Sequence, residues 1–321
     1  MFIGRTKPPS LSSTAMLDYI SRRVSEHERY EDLLSFPRYF EIETVNACNA
    51  RCPMCTIDDW DRRDGLMSDD LFLKIADEIA EYVDVVKRVA LYRDGEPLLD
   101  KKLPARVAML KERGIKRVGI STNAALLTPE KSEALLDAGI DEVLLSVDSL
   151  VPAVYEAIRV GCDFGDVMFN CLKFIEARNW MESGCQVWVR MIRQESNKDE
   201  WPAYRDFWRS NLESTDRIDY RNLHNWGGQL VNFKPLVQAQ TEKPCIALWS
   251  LMVIFANGDV PMCNVDYNNR HPLGNVREQK IGALWQSVEQ GRRRDLHLNG
   301  KRDEIDICNG CTVWSEERVA A

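Results

Sequence analysis

Apolar positions along the chain follow two rhythms that alternate. In "RYFEIETV" (38–45), Phe40, Ile42 and Thr44 take turns with Glu41 and Glu43, a period of two that predicts a strand. From Asp69 the period lengthens. Leu71, Phe72, Ile75, Ile79, Tyr82 and Val83 fall on one helical face, and Ser68 is placed to cap the first turn. The exchange continues with "VKRVALY" (86–92) as strand and a helix that opens near Pro104 and closes at Gly114. "KRVGIST" (116–122) then precedes a helix from Pro129 to Ala138, stopped by Gly139. "DEVLLSV" (141–147), a helix over 166–182, "CQVWVRMI" (185–192), a helix over 199–213 and "DRIDYRN" (216–222) complete the series. Six strands alternating with helices predict an α/β fold with a parallel sheet, open or curled towards a barrel.

The rhythm is absent at both ends. Residues 1–37 read as a leader, Pro- and Ser-rich at first and then helical from Ala15 to Leu34. After "HNWGG" (224–228) only short strand-like pieces remain, "LMVIFA" (251–256) and "DVPMC" (259–263), with one helix near 281–294. The expected organisation is therefore a leader (1–37), a main α/β domain (38–225) and a small C-terminal domain (226–321).

Composition narrows the function. With 45% apolar and 29% charged residues, the chain has the make-up of an ordinary globular protein. A net charge of −8 and the lack of a long basic stripe argue against a nucleic-acid partner. No apolar run approaches the roughly 20 residues that cross a bilayer, and the N-terminus lacks a signal-peptide core. A cytoplasmic protein without a membrane partner is expected. Ten cysteines in that compartment point to metal or redox chemistry rather than to disulfides.

Three of the ten crowd into "CNARCPMC" (48–55), in the loop after the first strand. Active sites of α/β barrels lie in such loops, at the C-terminal ends of the strands. Cys48, Cys52 and Cys55 are three thiolates where a structural zinc ion would want four, so they suit a metal site with one position open. Four more, Cys245, Cys263, Cys308 and Cys311, come from separate stretches of the C-terminal region and by themselves fit a four-cysteine zinc ribbon. Cys171 shares a helical face with Val167, Phe174 and Ile175, and Cys185 starts a strand. Both read as packing residues.

The spacing C-x3-C-x2-C after the first strand of a β/α domain resembles the radical S-adenosylmethionine (radical SAM) enzymes. The resemblance implies a partial (β/α)6 TIM-like barrel and a 4Fe–4S cluster on Cys48, Cys52 and Cys55, with its fourth iron chelated by S-adenosyl-L-methionine. Met54 then occupies the place beside the adenine. In "RDGEP" (93–97), Asp94, Gly95 and Glu96 stand where the family has a Gly-Gly-Glu motif, with Asp94 replacing the first glycine. Ser121 and Asn123 of "STNA", Ser146 and Asp148 of "SVDS", and Arg159 follow on the next strand ends, and the family implies that this set binds the cofactor. An arginine–carboxylate contact is suited to that task.

The second cysteine set, with "HPLGNV" and "IGALWQS" between its pairs, resembles the SPASM/Twitch extension of these enzymes. Four cysteines rather than about seven imply the shorter Twitch form and one auxiliary 4Fe–4S cluster, two clusters in all. The resemblance implies an oxidoreductase: a reduced cluster cleaves S-adenosyl-L-methionine to a 5′-deoxyadenosyl radical, which abstracts hydrogen from a small polar substrate. With the auxiliary cluster as electron acceptor, a sugar- or aminocyclitol-like secondary alcohol would be oxidised, and flavodoxin or ferredoxin would supply electrons. Tyr92, Arg93, Arg190 and Arg193 are candidate substrate contacts. A peptide maturase and an epimerase, the latter with Cys162 as hydrogen donor, are the other enzyme readings. An iron–sulfur electron carrier or a zinc-bound interaction module are the non-enzymatic ones. His224 and His271 receive no role.

Overall fold

The computed structural model describes residues 13–25, 27–63, 65–230, 238–239 and 243–313. Seven strands form its main sheet: β1 (Tyr39–Ile42), β2 (Arg88–Ala90), β3 (Val118–Thr122), β4 (Glu142–Ser146), β5 (Gln186–Arg193), β6 (Arg217–Asn222) and β7 (Leu251–Ile254). Their order is β6-β5-β4-β3-β2-β1-β7 and every pairing is parallel. Helices join them in right order for a β/α architecture: α1 (Ser13–Val24) and α2 (Tyr30–Leu33) precede the sheet, and α3 (Asp69–Ala80), α4 (Leu103–Glu112) and α5 (Pro129–Asp137) follow the first three strands in turn. Two helices, α6 (Pro152–Ile158) and α7 (Phe164–Trp180), lie between β4 and β5, and α8 (Trp201–Arg209) precedes β6.

Strand parity divides the sheet chemically. Val89, Ile120, Val143, Val187 and Ile218 are buried in the main apolar core, whose helical side includes Leu71, Ile75, Val107 and Leu135. Each such side chain contributes roughly 1.5–3 kcal/mol relative to exposure. The opposite parity carries charge. Arg88 pairs with Glu142 across β3, and Arg190 pairs with Asp219 at 2.7 Å. Gly119 of β3 makes the first pair feasible, since a Cβ there would stand 3.4 Å from the Arg88 guanidinium and 3.1 Å from the Glu142 side chain. Local signals behave as expected where they are strong. Ser68 accepts the Leu71 N–H at the start of α3, and Gly114 and Gly139 close α4 and α5 with φ of +79° and +78°.

Two expectations change. "LMVIFA" is a seventh strand of the main sheet, in register from Tyr39↔Leu251 to Ile42↔Ile254 beside β1. All four residues of β7 are buried, as befits a strand covered on both faces. The helix expected over 15–34 is two helices, α1 and α2. They pack Ile20, Val24 and Leu33 against Leu248, Trp249 and Phe255 of the C-terminal region. The indole N–H of Trp285 donates to the Leu33 carbonyl at 3.0 Å, fixing that contact. The Pro/Ser-rich start of the leader lies outside the described residues. After α9 (Ala247–Ser250) and β7, an antiparallel pair, β8 (Asp259–Pro261) and β9 (Pro272–Asn275), leads to α10 (Ile281–Trp285) and α11 (Val288–Leu298).

Candidate active site

At the C-terminal ends of the strands lies a cavity of about 220 Å³. Cys48, Cys52 and Cys55 share its wall with Met54, Gly95, Glu96, Ser121, Asn123, Ser146 and Arg159. The loops that follow the strands hold the cysteine segment in place. Glu96 N donates to the Ala47 carbonyl at 2.8 Å, Arg51 N to that of Val160 at 2.8 Å, and Asn123 Nδ2 to Asn49 Oδ1 at 2.9 Å. Gly95 is required by this packing: a Cβ would stand 2.3 Å from Val45 O and 2.6 Å from Ala47 O. Glu96 is itself a staple, accepting Thr122 Oγ1 at 2.7 Å, Asn123 N at 2.9 Å and Leu98 N at 3.1 Å.

Asp94 has a different duty from a glycine. Its carboxylate is buried between Arg62 (3.1 Å) and Arg93 (3.2 Å), and Arg62 also reaches Glu43 at 2.8 Å and the Tyr267 carbonyl at 2.7 Å. Arg93 in turn donates to the Asn264 carbonyl, beside Cys263. The residue that departs from the family motif therefore anchors two arginines that join the barrel loops to the C-terminal region. Asp148 stands behind the cavity wall rather than on it. It accepts Arg159 Nε at 2.5 Å and Ile192 N at 2.6 Å, and so aims Arg159 past Cys52, whose sulfur is 4.0 Å from Arg159 Nη1.

The cavity is also lined by Ala50, Thr122, Ile192, Leu223 and Trp226, which were not singled out by the sequence, and by His224, which received no role from the sequence. Tyr92 and Arg93, both candidate substrate contacts, share the same wall. His224 Nδ1 accepts the Trp226 N–H at 3.2 Å, which leaves the proton of the neutral ring on Nε2. Burial, helped by Arg93, lowers its pKa to about 4. Two other candidates are placed elsewhere. Arg190 is paired with Asp219, and Arg193 donates to the Lys198 carbonyl at 3.0 Å. Cys162 is buried in the main core and is not among the lining residues; burial pushes its thiol up to about 12. His271 pairs with Asp306 at 2.7 Å.

A second cavity, of about 20 Å³, is lined by Cys245, Cys263, Cys308 and Cys311 together with His297 and Arg302. The four cysteines, distant in sequence, thus converge on one buried spot. Among the described residues no three His, Cys, Asp or Glu side chains are close enough to hold a single ion. In both cavities burial raises the thiols, Cys55 and Cys245 each to about 12. A metal centre must draw these protons off as it binds, which is the ordinary coupling of thiolate ligation to proton release.

One short segment links the first cysteine loop to the lining of the second cavity. Trp226 Nε1 donates to the Met54 carbonyl at 3.1 Å, inside the first cysteine loop. The next residue, Gly227, packs against Ile307 of the second cavity's lining. Both residues have positive φ (48° and 69°), and a Cβ on Gly227 would stand 2.6 Å from Ile307 O.

A parallel β/α barrel with an open three-cysteine loop at its strand ends, joined to a four-cysteine cavity, defines a two-cluster iron–sulfur enzyme. Residues 42–182 match the profile of the Radical SAM superfamily, and residues 245–312 match SPASM, an iron–sulfur cluster-binding domain. A GTP 3′,8-cyclase of Limosilactobacillus fermentum is 30% identical over 93% of this chain and 84% of its own length. The S-adenosyl-L-methionine-dependent 2-deoxy-scyllo-inosamine dehydrogenase of Niallia circulans is 24% identical over 87% of this chain and 95% of its own. The crystal structure of BtrN in complex with AdoMet and 2-DOIA superposes with a TM-score of 0.61 at 22% identity, covering 87% of this chain and 94% of that one. Other curated relatives, 37% and 30% identical, are matched over only 34% and 55% of their own length. The chain belongs to the radical SAM superfamily, in its SPASM/Twitch branch, and S-adenosyl-L-methionine and 4Fe–4S clusters are the cofactors of that class.

Proposed function

We propose that this chain is a dehydrogenase that oxidises a secondary alcohol of a small sugar- or aminocyclitol-like substrate. The observation that carries the reading is the Trp226–Gly227 segment, in which Trp226 bonds to the first cysteine loop and Gly227 packs against Ile307 of the four-cysteine cavity. A substrate against Trp226 would lie on the segment that links the two cysteine sets, a placement that suits a two-electron oxidation. The 2-deoxy-scyllo-inosamine dehydrogenase match supports the same substrate class.

In this reading Cys48, Cys52 and Cys55 hold the first cluster, and Met54, Gly95, Glu96, Ser121, Asn123, Ser146 and Arg159 surround S-adenosyl-L-methionine, with Asp94 and Asp148 positioning Arg93 and Arg159. When bound, these groups supply a 5′-deoxyadenosyl radical able to take hydrogen from an unactivated C–H bond. Cys245, Cys263, Cys308 and Cys311 would hold the auxiliary cluster, which would supply a one-electron acceptor. The chain's own residues bind and orient the substrate. Ile192, Leu223 and Trp226 offer apolar surface for a ring, while Tyr92 and the Nε2–H of His224 offer hydrogen bonds to hydroxyl groups. Net, the carbinol carbon loses one hydrogen atom, the hydroxyl one proton and the substrate one further electron, which leaves a ketone. A flavodoxin- or ferredoxin-like protein would be the reductant. No helix among the described residues is long and apolar enough to cross a membrane.

The test is anaerobic turnover with reductant, S-adenosyl-L-methionine and a panel of carbinol-deuterated sugars, cyclitols and aminocyclitols. The reading expects 5′-deoxyadenosine carrying one deuterium and a product two hydrogens short of the substrate. Deuterated 5′-deoxyadenosine with a product of inverted configuration and one solvent hydrogen would instead establish an epimerase.

A further inference from the structure

His297, in the last turn of α11, is one of the residues that line the four-cysteine cavity, and it is only 1% exposed. Its two ring nitrogens have unequal surroundings. Nδ1 accepts the backbone N–H of Cys245 at 3.0 Å, so it carries no proton, and in the neutral ring the proton resides on Nε2. Nε2 is buried and has no hydrogen-bond partner among the described residues. A buried N–H left without a partner is destabilising, so a donor in this position calls for an acceptor. The rest of the ring is fixed: Trp249 meets it edge-on with centroids 6.4 Å apart. The rest of the wall is mostly apolar, with Leu248, Met262, Val265 and Ile307; its polar members are Asn264, whose carbonyl accepts from Arg93, and Arg302, whose guanidinium donates to the Cys308 and Cys311 carbonyls.

We propose that His297 donates its Nε2–H to a sulfur atom of the auxiliary cluster and thereby raises that cluster's reduction potential, making it the better electron acceptor. This rests on the reading that Cys245, Cys263, Cys308 and Cys311 hold the cluster. Hydrogen bonds to cluster sulfur and the burial of the site are established controls on potential. A donated hydrogen bond stabilises the more negative, reduced state most, so its sign is upward. The backbone bond from Cys245 to Nδ1 acts through the same ring, fixing both the tautomer and the direction of the donor. His297 is a positioning and tuning residue and has no expected contact with substrate.

The test uses the full chain with Cys48, Cys52 and Cys55 changed to Ala, so that only the auxiliary site can take up iron. About four irons per chain confirm the underlying ligand set, whereas no iron and no sulfide would overturn that reading together with the inference. Redox titration followed by electron paramagnetic resonance then compares this chain with its His297→Gln and His297→Leu versions. Loss of the donor in His297→Leu is expected to lower the reduction equilibrium constant about tenfold, 59 mV for a one-electron couple. Gln, which keeps an N–H, is expected to restore part of the shift. Independently, histidine labelled with ¹⁵N should give a weak nitrogen coupling to the reduced cluster and one exchangeable proton, both absent in His297→Gln grown on the same label. An unchanged potential in His297→Leu at full iron content would overturn the proposal. So would the lack of any ¹⁵N coupling in the His297 chain, a measurement that stands even where the Leu version fails to fold.

Discussion

Gly95 and Asp94, neighbours in one turn, show how two adjacent positions can be fixed by different physics. Gly95 is fixed by contact: the 2.3 Å and 2.6 Å approaches of the Val45 and Ala47 carbonyls leave no room for a methyl group. Gly95→Ala must displace the cysteine loop, and the expected cost is about 3 kcal/mol, measurable by chemical denaturation, with a matching loss of first-cluster iron. Asp94 is fixed by charge, as counter-ion to Arg62 and Arg93. Its sequence reads as a weakened glycine motif because the partners are 32 residues away and next door, and only the fold makes them a triad. His224 was likewise visible only as a histidine near a junction; nothing local says that its ring faces a cavity. Its pKa, lowered by burial and by Arg93 to about 4 from 6.5, has a measurable consequence. Between those values the unfolded chain binds a proton that the folded chain refuses, so stability falls as pH drops through the window and levels off below it. Chemical denaturation at pH 7 and pH 5 should show His224→Gln losing about 1–2 kcal/mol less than wild type over that interval.

At the scale of elements, most strands and helices from 38 to 222 were legible because they have a strong local period and clear stop signals such as Gly114 and Gly139. Partnership was not. The run "LMVIFA" announces a strand but not its neighbour, and β7 crosses back to β1 from more than 200 residues downstream. The short α6 was legible only as a helix at Arg159, without bounds, because seven residues hold too few apolar positions to establish a period. The "HNWGG" segment signalled only a break in rhythm, yet His224 and Trp226 line the first cavity and Gly227 packs against Ile307 in the wall of the second. Gly227→Ala sets a positive-φ strain and a 2.6 Å clash with Ile307 O at that wall. Iron analysis should show the auxiliary site losing most of its iron, while the first site, whose cysteines lie on the barrel loops, keeps about four irons.

For the molecule as a whole, the two cysteine sets are separate in sequence, and their relation is a product of packing. Arg62, Asp94 and Arg93 tie β1 and the β2 loop to Tyr267 and Asn264, and Trp226 ties the first cysteine loop to the segment beside Cys311. Buried ion pairs of this kind hold geometry more than they add stability, and geometry is what electron transfer between two centres needs. The chain's expected cofactor content follows: two four-iron clusters, one open to S-adenosyl-L-methionine and one closed by four thiolates. The measurement that tests this most directly is iron, sulfide and zinc per chain after anaerobic reconstitution, in wild type and in the Cys308→Ala/Cys311→Ala chain. The account predicts about eight irons and eight sulfides in wild type, falling to about four of each in the double variant. About four irons in both, with one zinc present in wild type alone, would contradict it and reduce the C-terminal region to a structural ribbon.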